Sequence, residues 1–208
     1  MKNDIYIIGA GGHGEVILDI LLKNNIVPKG FLDDNRSLWN KEIQGIKVLG
    51  RINLAKELEG KFIIAIGDNE KRKEIVNYLK FNKEKFINAI HPSVILGNEI
   101  NYGYGNMIIG GVFINTKTKI GDHTIINTSS SIDHHNIIGD FVHIAPGVHT
   151  GGNVTIAEGS LIGIGSTILP NIKIGRWSIV GAGSVVIDNI PDNVVVVGVP
   201  AKIIKKRK

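Results

Sequence analysis

From Ile90 onward the chain repeats every six residues, and this period limits its fold more than any other feature. Stepping by six from Ile90 to Val186 gives 17 positions, and 15 of them are Ile, Leu or Val, with Tyr102 and Thr150 the exceptions. A helix wants apolar residues at a period of 3.6 and a half-buried strand at a period of two, so neither fits. Fixed-period repetition over so long a run is the mark of a solenoid. Each hexad can bury its aliphatic residue only if it forms one face of a prism, with three hexads closing an 18-residue coil. Seventeen hexads make about five and a half coils without a break in register. The residue after the aliphatic one is glycine eight times (97, 103, 121, 139, 151, 163, 175 and 181), read as freedom for a sharp corner. Four places after it come small or β-branched residues such as Val112, Thr124, Ser130 and Ser166, which suit a narrow interior.

Residues 1–89 follow a different pattern. Ile5-Tyr6-Ile7-Ile8 reads as a buried strand running into glycines. Val16, Ile17, Ile20 and Leu21 fall on one helical face. Gly30 to Asp34 and Phe62 to Ile66 read as further strands, the second closed by Gly67-Asp68-Asn69. Asp68 or Asn69 can cap a helix whose Ile75, Val76 and Leu79 share a face, and Phe86-Ile87 offers a last strand. The expectation is a small Rossmann-like α/β domain over 1–89 with a mostly parallel sheet. The prism follows over 90–191, and residues 192–208 form a strand, a turn and a basic tail.

Composition narrows the function classes. There is no cysteine, so disulfides and thiol chemistry are excluded. The net charge of +5 is concentrated in Lys202 to Lys208, which hold five of the 24 basic residues. The rest balances 19 basic against 19 acidic residues, so no nucleic-acid face is expected. No 18-residue apolar run suggests a membrane span, and the first residues lack the pattern of a secretory signal, so a cytoplasmic location is expected.

Four of the seven histidines lie between 134 and 149. His134 is the third residue of its hexad, off the inward position held by Ile132. One coil later the same position is Gly152, expected one strand spacing away, ~4.8 Å. An imidazole next to an exposed backbone N–H is what acyl transfer asks for. The ring takes a proton near neutral pH, and the N–H stabilises an oxyanion. His134 is therefore read as functional. His143 stays open between function and solvation, and His123, His135 and His149 read as structural or solvated. Gly9-Ala10-Gly11-Gly12-His13-Gly14 lies between a strand and a helix, and Asp33 follows 19 residues after Gly14. This pattern lets backbone N–H groups approach a phosphate at a helix N-terminus, with an acid for a ribose or a base. A tight turn without a ligand is the alternative.

The hexads resemble those of the hexapeptide-repeat acyltransferases, whose fold is the left-handed parallel β-helix. The run Asn127-Thr128-Ser129-Ser130-Ser131-Ile132-Asp133-His134-His135, the segment Ile138 to His143, the glycine loop, Phe31-Leu32-Asp33-Asp34 and the ending Val197-Gly198-Val199-Pro200-Ala201-Lys202 are similar to one branch. That branch contains the N-acetyltransferases of nucleotide-linked 4-amino sugars and the sialic acid O-acetyltransferases. The resemblance implies acetyl-CoA as cosubstrate, no metal, a homotrimer and a nucleotide-linked amino sugar as partner. It implies His134 as general base and Gly152 as the backbone group near the thioester. It gives His143 a contact to acetyl-CoA, and Ile164 and Ala182 the pantetheine arm. The nucleotide side falls to Gly11, Gly12, His13, Asp33, Asp34 and Gly67. In the branch the residue after the base is usually Glu or Asp; here it is His135. O-acetylation, a zinc hydratase on the same prism and a non-catalytic scaffold remain as alternatives.

Overall fold

Short runs of Ile, Leu and Phe without polar alternation make strands that need cover on both faces. The computed structural model describes residues 4–207, and Lys208 of the basic tail lies outside them. The N-terminal part runs β1 (Ile5–Ile8), α1 (Gly12–Lys23), β2 (Gly30–Leu32), β3 (Glu42–Ile43), β4 (Ile46–Gly50), β5 (Lys61–Ile64) and α2 (Asn69–Leu79). The sheet order is β3-β4-β2-β1-β5, parallel except for the hairpin of β3 with β4. That hairpin was not anticipated from the sequence. Phe86 makes only an isolated bridge to Phe62 and forms no strand. On α1 the buried face is Ile17, Leu18, Ile20 and Leu21, while Val16 points outward. Asp68 caps α2 through its carboxylate on the Lys71 N–H (2.9 Å), which leaves Asn69 free for another contact.

From Ala89 the chain forms three parallel sheets of two-residue strands, a β-helix. The first face stacks Ala89–Ile90, Met107–Ile108, Ile125–Ile126, His143–Ile144, Leu161–Ile162 and Ile179–Val180. The second runs from Ile95–Leu96 to Val185–Val186, and the third from Asn101–Tyr102 to Lys173–Ile174. Each pairing is offset by 18 residues, as in Ile114 with Ile132 and Ile132 with Thr150. From Met107–Ile108 to Val185–Val186 the second residue of each strand points inward, and Ile108 through Val186 build one continuous core. The small residues have a polar role as well. Thr124, Ser130, Ser160 and Ser166 each donate to a corner carbonyl 15 residues on, at 2.7–3.0 Å. This satisfies backbone groups that the narrow interior would otherwise bury unpaired.

The hexad glycines do not take the left-handed conformation that turns the corner. Left-handed φ falls two positions further on, at Lys117, His123, Ser129, His135, Phe141 and Asn153 among others. Gly121, Gly139 and Gly163 have ordinary φ and are there for lack of room. A Cβ on any of them would come within 3.0 Å of backbone in the next coil.

Up to Lys206 the basic tail is paired as a strand. Val194–Gly198 extends the first face, and Ala201–Lys206 returns antiparallel to it. Arg207 then bonds Glu70 on α2 and the Trp177 carbonyl.

The N-terminal part docks on the first face. Ile17, Leu18 and Leu21 of α1 share a core with Ala89, Met107, Ile109 and Ile125. Each such residue contributes roughly 1.5–3 kcal/mol on full burial, so the docking is firm. α2 docks on the neighbouring corner, between the third face and the first. There Asn69 donates to Gly159 and Ser160 carbonyls, and Lys73 pairs with Glu158.

Candidate functional site

His134 and Gly152 meet at the corner between the second and third faces. The imidazole lies against Gly152 so closely that a Cβ there would sit 2.4 Å from Cε1 and 2.6 Å from Nε2. Only glycine leaves the ring in place. The Gly152 N–H donates to no group among the described residues. Beneath the ring, Asp133 Oδ1 accepts from the His134 N–H (2.8 Å) and from the Asn115 side chain (3.1 Å). The Asp133 N–H in turn donates to the Thr150 hydroxyl (3.2 Å). Thr150, an inward position that is not aliphatic, therefore supports the turn that carries His134, a signal visible in the hexad register. The Nδ1 atom of His134 lies 3.0 Å from Nδ1 of His135.

His143 belongs to a different place. Its ring leaves the first face towards the N-terminal domain, where Nδ1 meets the Gly67 carbonyl at 3.1 Å. A carbonyl only accepts, so Nδ1 carries the proton and Nε2 accepts from the Asn127 amide at 3.3 Å. Burial, then Arg72, pushes the His143 pKa down to about 4, and the ring is neutral at pH 7. His13, at the start of α1, is held to about 4 for the same two reasons, and its Nε2 is buried without a partner among the described residues. His123 is also held to about 4, chiefly by burial between Phe86 and Phe141.

Arg72 ties this second place together. It is fully buried, and burial lowers its pKa to about 9. The guanidinium donates to the Ile66, His123 and Phe141 carbonyls (2.8, 2.8 and 3.0 Å) and to Asn69 Oδ1 (2.7 Å). It fixes the Gly67 loop against the corner that precedes His143. A cleft of about 270 Å³ opens beside them, lined by Gly67, Asn69, His143, Leu161, Trp177 and Arg207 among others.

The glycine loop divides by function. Gly9 has φ +105°, and a Cβ on Gly14 would lie 2.2 Å from the Gly9 carbonyl, so the turn itself requires both. Gly11 and Gly12 have open space where a Cβ would stand. The fold does not require glycine at 11 or 12, whereas a close-approaching phosphate would. Asp33 and Asp34 are turned to the backbone. Asp33 accepts from Ala10 and Asn35 N–H groups (both 2.8 Å), and Asp34 from Ile52 N–H (2.9 Å). Ile164 and Ala182 stack, exposed, at the corner between the first and second faces. The left-handed glycines beside them, Gly165 and Gly183, face open space, which leaves a smooth strip there.

The sequence reading missed Arg72, Asn115, Asn127 and Thr150, and it set His135 aside. Among the described residues no three His, Asp or Glu side chains converge as a metal set, and no helix is long and apolar enough to cross a membrane.

Residues 4–79 match the PglD N-terminal domain, and residues 153–188 match the bacterial transferase hexapeptide repeats. The chain is 32% identical to the GDP-perosamine N-acetyltransferase of Escherichia coli O157:H7, across 96% of each protein. It superimposes on PerB of Caulobacter crescentus, solved in complex with CoA and GDP-perosamine, with a TM-score of 0.89 at 32% identity over 99% of both chains. A match of 35% over 123 residues to an uncharacterised protein of Acanthamoeba polyphaga mimivirus spans 24% of that protein. The chain belongs to the hexapeptide-repeat acetyltransferases, in the branch that acetylates nucleotide-linked amino sugars.

Proposed function

We propose that the chain transfers the acetyl group of acetyl-CoA to the amine of a nucleotide-linked amino sugar, with His134 as general base. The observation that carries this is the His134 ring seated on Gly152, whose N–H has no acceptor among the described residues. The neutral amine attacks the thioester carbonyl while His134 Nε2 accepts the ammonium proton. The tetrahedral oxyanion receives the Gly152 N–H. The C–S bond then breaks, and the imidazolium returns its proton to the departing thiolate of CoA. The open backbone at Gly11 and Gly12 supports the nucleotide reading over free sialic acid, which would not need it. His13 and Gly67 would line the same side, and Asp33 would act through its remaining lone pairs and by holding the loop.

The prism imposes a condition on this reaction. His134 sits on the corner opposite the first face, and the glycine-loop domain covers that first face. A chain's own base and its own glycine loop therefore stand on different sides of the prism. We infer a homotrimer in which each cleft takes the base from one subunit and the loop from the next. Ile164 and Ala182 would wall the pantetheine arm, and His143 would contact the cofactor by exchanging its weak bond to Asn127. The division of labour is then residues 1–89 for the nucleotide sugar, 90–191 for catalysis on a left-handed β-helix, and 192–208 for closing the stack. The N-terminal sheet would serve as a Rossmann-like half site. Work in the cytoplasm fits this reading.

The test is thiol release from acetyl-CoA against UDP-, GDP- and dTDP-linked amino sugars. His134→Ala should lower turnover by at least ~100-fold with acetyl-CoA affinity kept. Gly12→Val should weaken only the sugar nucleotide. Near-normal turnover in His134→Ala would end the base assignment.

A further inference from the structure

A histidine that acts as a base through Nε2 must hold its proton on Nδ1, and a neighbour that accepts from Nδ1 fixes that tautomer. The neighbour here is another imidazole. Nδ1 of His134 and Nδ1 of His135 lie 3.0 Å apart, with the rings edge to face at 86°. One nitrogen donates and the other accepts, since two lone pairs do not bond and two N–H groups repel. We propose that His135 is the positioning residue for the base: it accepts the His134 Nδ1 proton as a neutral ring and so keeps Nε2 free. This rests on the reading of His134 as the base.

The contact follows from the corner. His135 has φ +59°, so the chain turns back there, and strand alternation does not carry its side chain to the opposite face. The His135 N–H is tied to the Thr116 carbonyl (3.0 Å) and the His134 carbonyl receives the Asn153 N–H (3.0 Å), so both neighbouring coils hold the pair. The charged groups around it are few. The Asp133 carboxylate is occupied by the His134 N–H and Asn115, and it reaches neither ring nitrogen by a hydrogen bond. Lys117 occupies the position of His135 one coil earlier, and the coil above presents Gly152 and Asn153.

A neutral acceptor differs from a carboxylate in two ways. It can reverse its role, donating Nδ1–H to His134 and leaving the base in its inactive tautomer. It also adds no negative charge, so it does little to stabilise the imidazolium formed when His134 takes the amine proton. A carboxylate at this distance favours the charged ring by roughly 1–3 pH units. The corner tolerates the replacements needed. The same stack carries Glu99 in left-handed conformation, with φ of 58°, and Gly147, Gly165 and Gly183 with φ of 66°, 67° and 66°.

The experiment uses the full chain with ring-15N histidine. Above the acid limb of each pH profile, the His134 ring should report Nδ1–H in the wild type and in His135→Glu. His135→Gly should shift it towards the Nε2–H form that an unpartnered imidazole prefers. In kinetics, His135→Gly should lower kcat at least ~10-fold with the KM for acetyl-CoA unchanged. His135→Glu should recover kcat and move the acid limb of the pH profile up by roughly 1–3 units. A wild-type His134 ring in the Nε2–H form, or one indifferent to His135→Gly, overturns the proposal. An active His134→Ala would sink the base assignment instead, and the tautomer readout decides the His135 pairing without it.

Discussion

Arg72→Met isolates the joint between the two halves of the molecule. Methionine keeps much of the aliphatic stem and removes the guanidinium. Four acceptors then lose their donor: the carbonyls of Ile66, His123 and Phe141 and the side-chain oxygen of Asn69. Each buried acceptor left unpaired costs about 1–3 kcal/mol. Against that, the variant no longer buries a charge, and the depressed pKa of Arg72 shows that the burial is costly. The balance is a loss of about 3–5 kcal/mol, the usual scale for breaking a buried charged arrangement. That is a large share of the ~5–15 kcal/mol that holds a domain folded. Urea unfolding can follow it through the two tryptophans, Trp39 in the N-terminal part and Trp177 in the coils. With the other tryptophan replaced, the Trp39 transition should move to clearly lower urea while Trp177 moves less, because the clamp joins the parts rather than building the prism. Losing the positive charge should also let the pKa values of His13 and His143 rise part of the way from about 4 towards 6.5. A loss below ~1 kcal/mol with both histidines unmoved would refute the account of Arg72 as a loaded clamp.

Two further outcomes follow from the same geometry. His123 is neutral and buried, with its folded pKa near 4 against 6.5 when unfolded, so the unfolded chain binds the extra proton first as pH falls. Stability should be full above about pH 6.5 and decline down to about pH 4, by up to ~3 kcal/mol from this group. His123→Phe, at a corner conformation that Phe141 already adopts, should flatten that decline in urea midpoints measured from pH 4.5 to 7.5, and an unchanged slope would contradict it. For assembly, His134→Ala and Gly12→Val refolded together should regain about a quarter of wild-type turnover, the share of randomly paired clefts with both walls intact. No recovery in mixed trimers would mean that base and loop serve one cleft from the same chain.

Much of the fold was legible because burial leaves a period. The inward positions from Ile108 to Val186 stand where the sixfold count puts them, and Thr150, the inward polar exception, proved to be a support of the site. The glycines misled for a physical reason. Period says where a residue without a side chain recurs but not whether it relieves torsion or lets two backbones approach; at Gly139 and Gly163 it is the second. The β3–β4 hairpin escaped because a two-residue edge strand is too short to show alternation. Val16 escaped because helical spacing gives a stripe and not its centre.

The site was legible only where it is made by one translation along the stack. His134 and Gly152 differ by 18 residues, so the coil length alone brings them together. His135 could not be placed that way. Its ring returns to His134 because a left-handed residue interrupts the strand, and left-handedness at a non-glycine residue carries no periodic mark. Arg72 lies on a helix of mostly polar residues and reads as solvated. Its burial is created by carbonyls 51 to 70 residues away on the coils. The same argument separates His134 from His143. Nine residues apart in sequence, they leave the prism on different sides, one at the corner opposite the first face and one on that face, against Gly67. A cluster of histidines in sequence is thus two places in space, and under the proposed function a reaction that draws on both takes them from two copies of the chain.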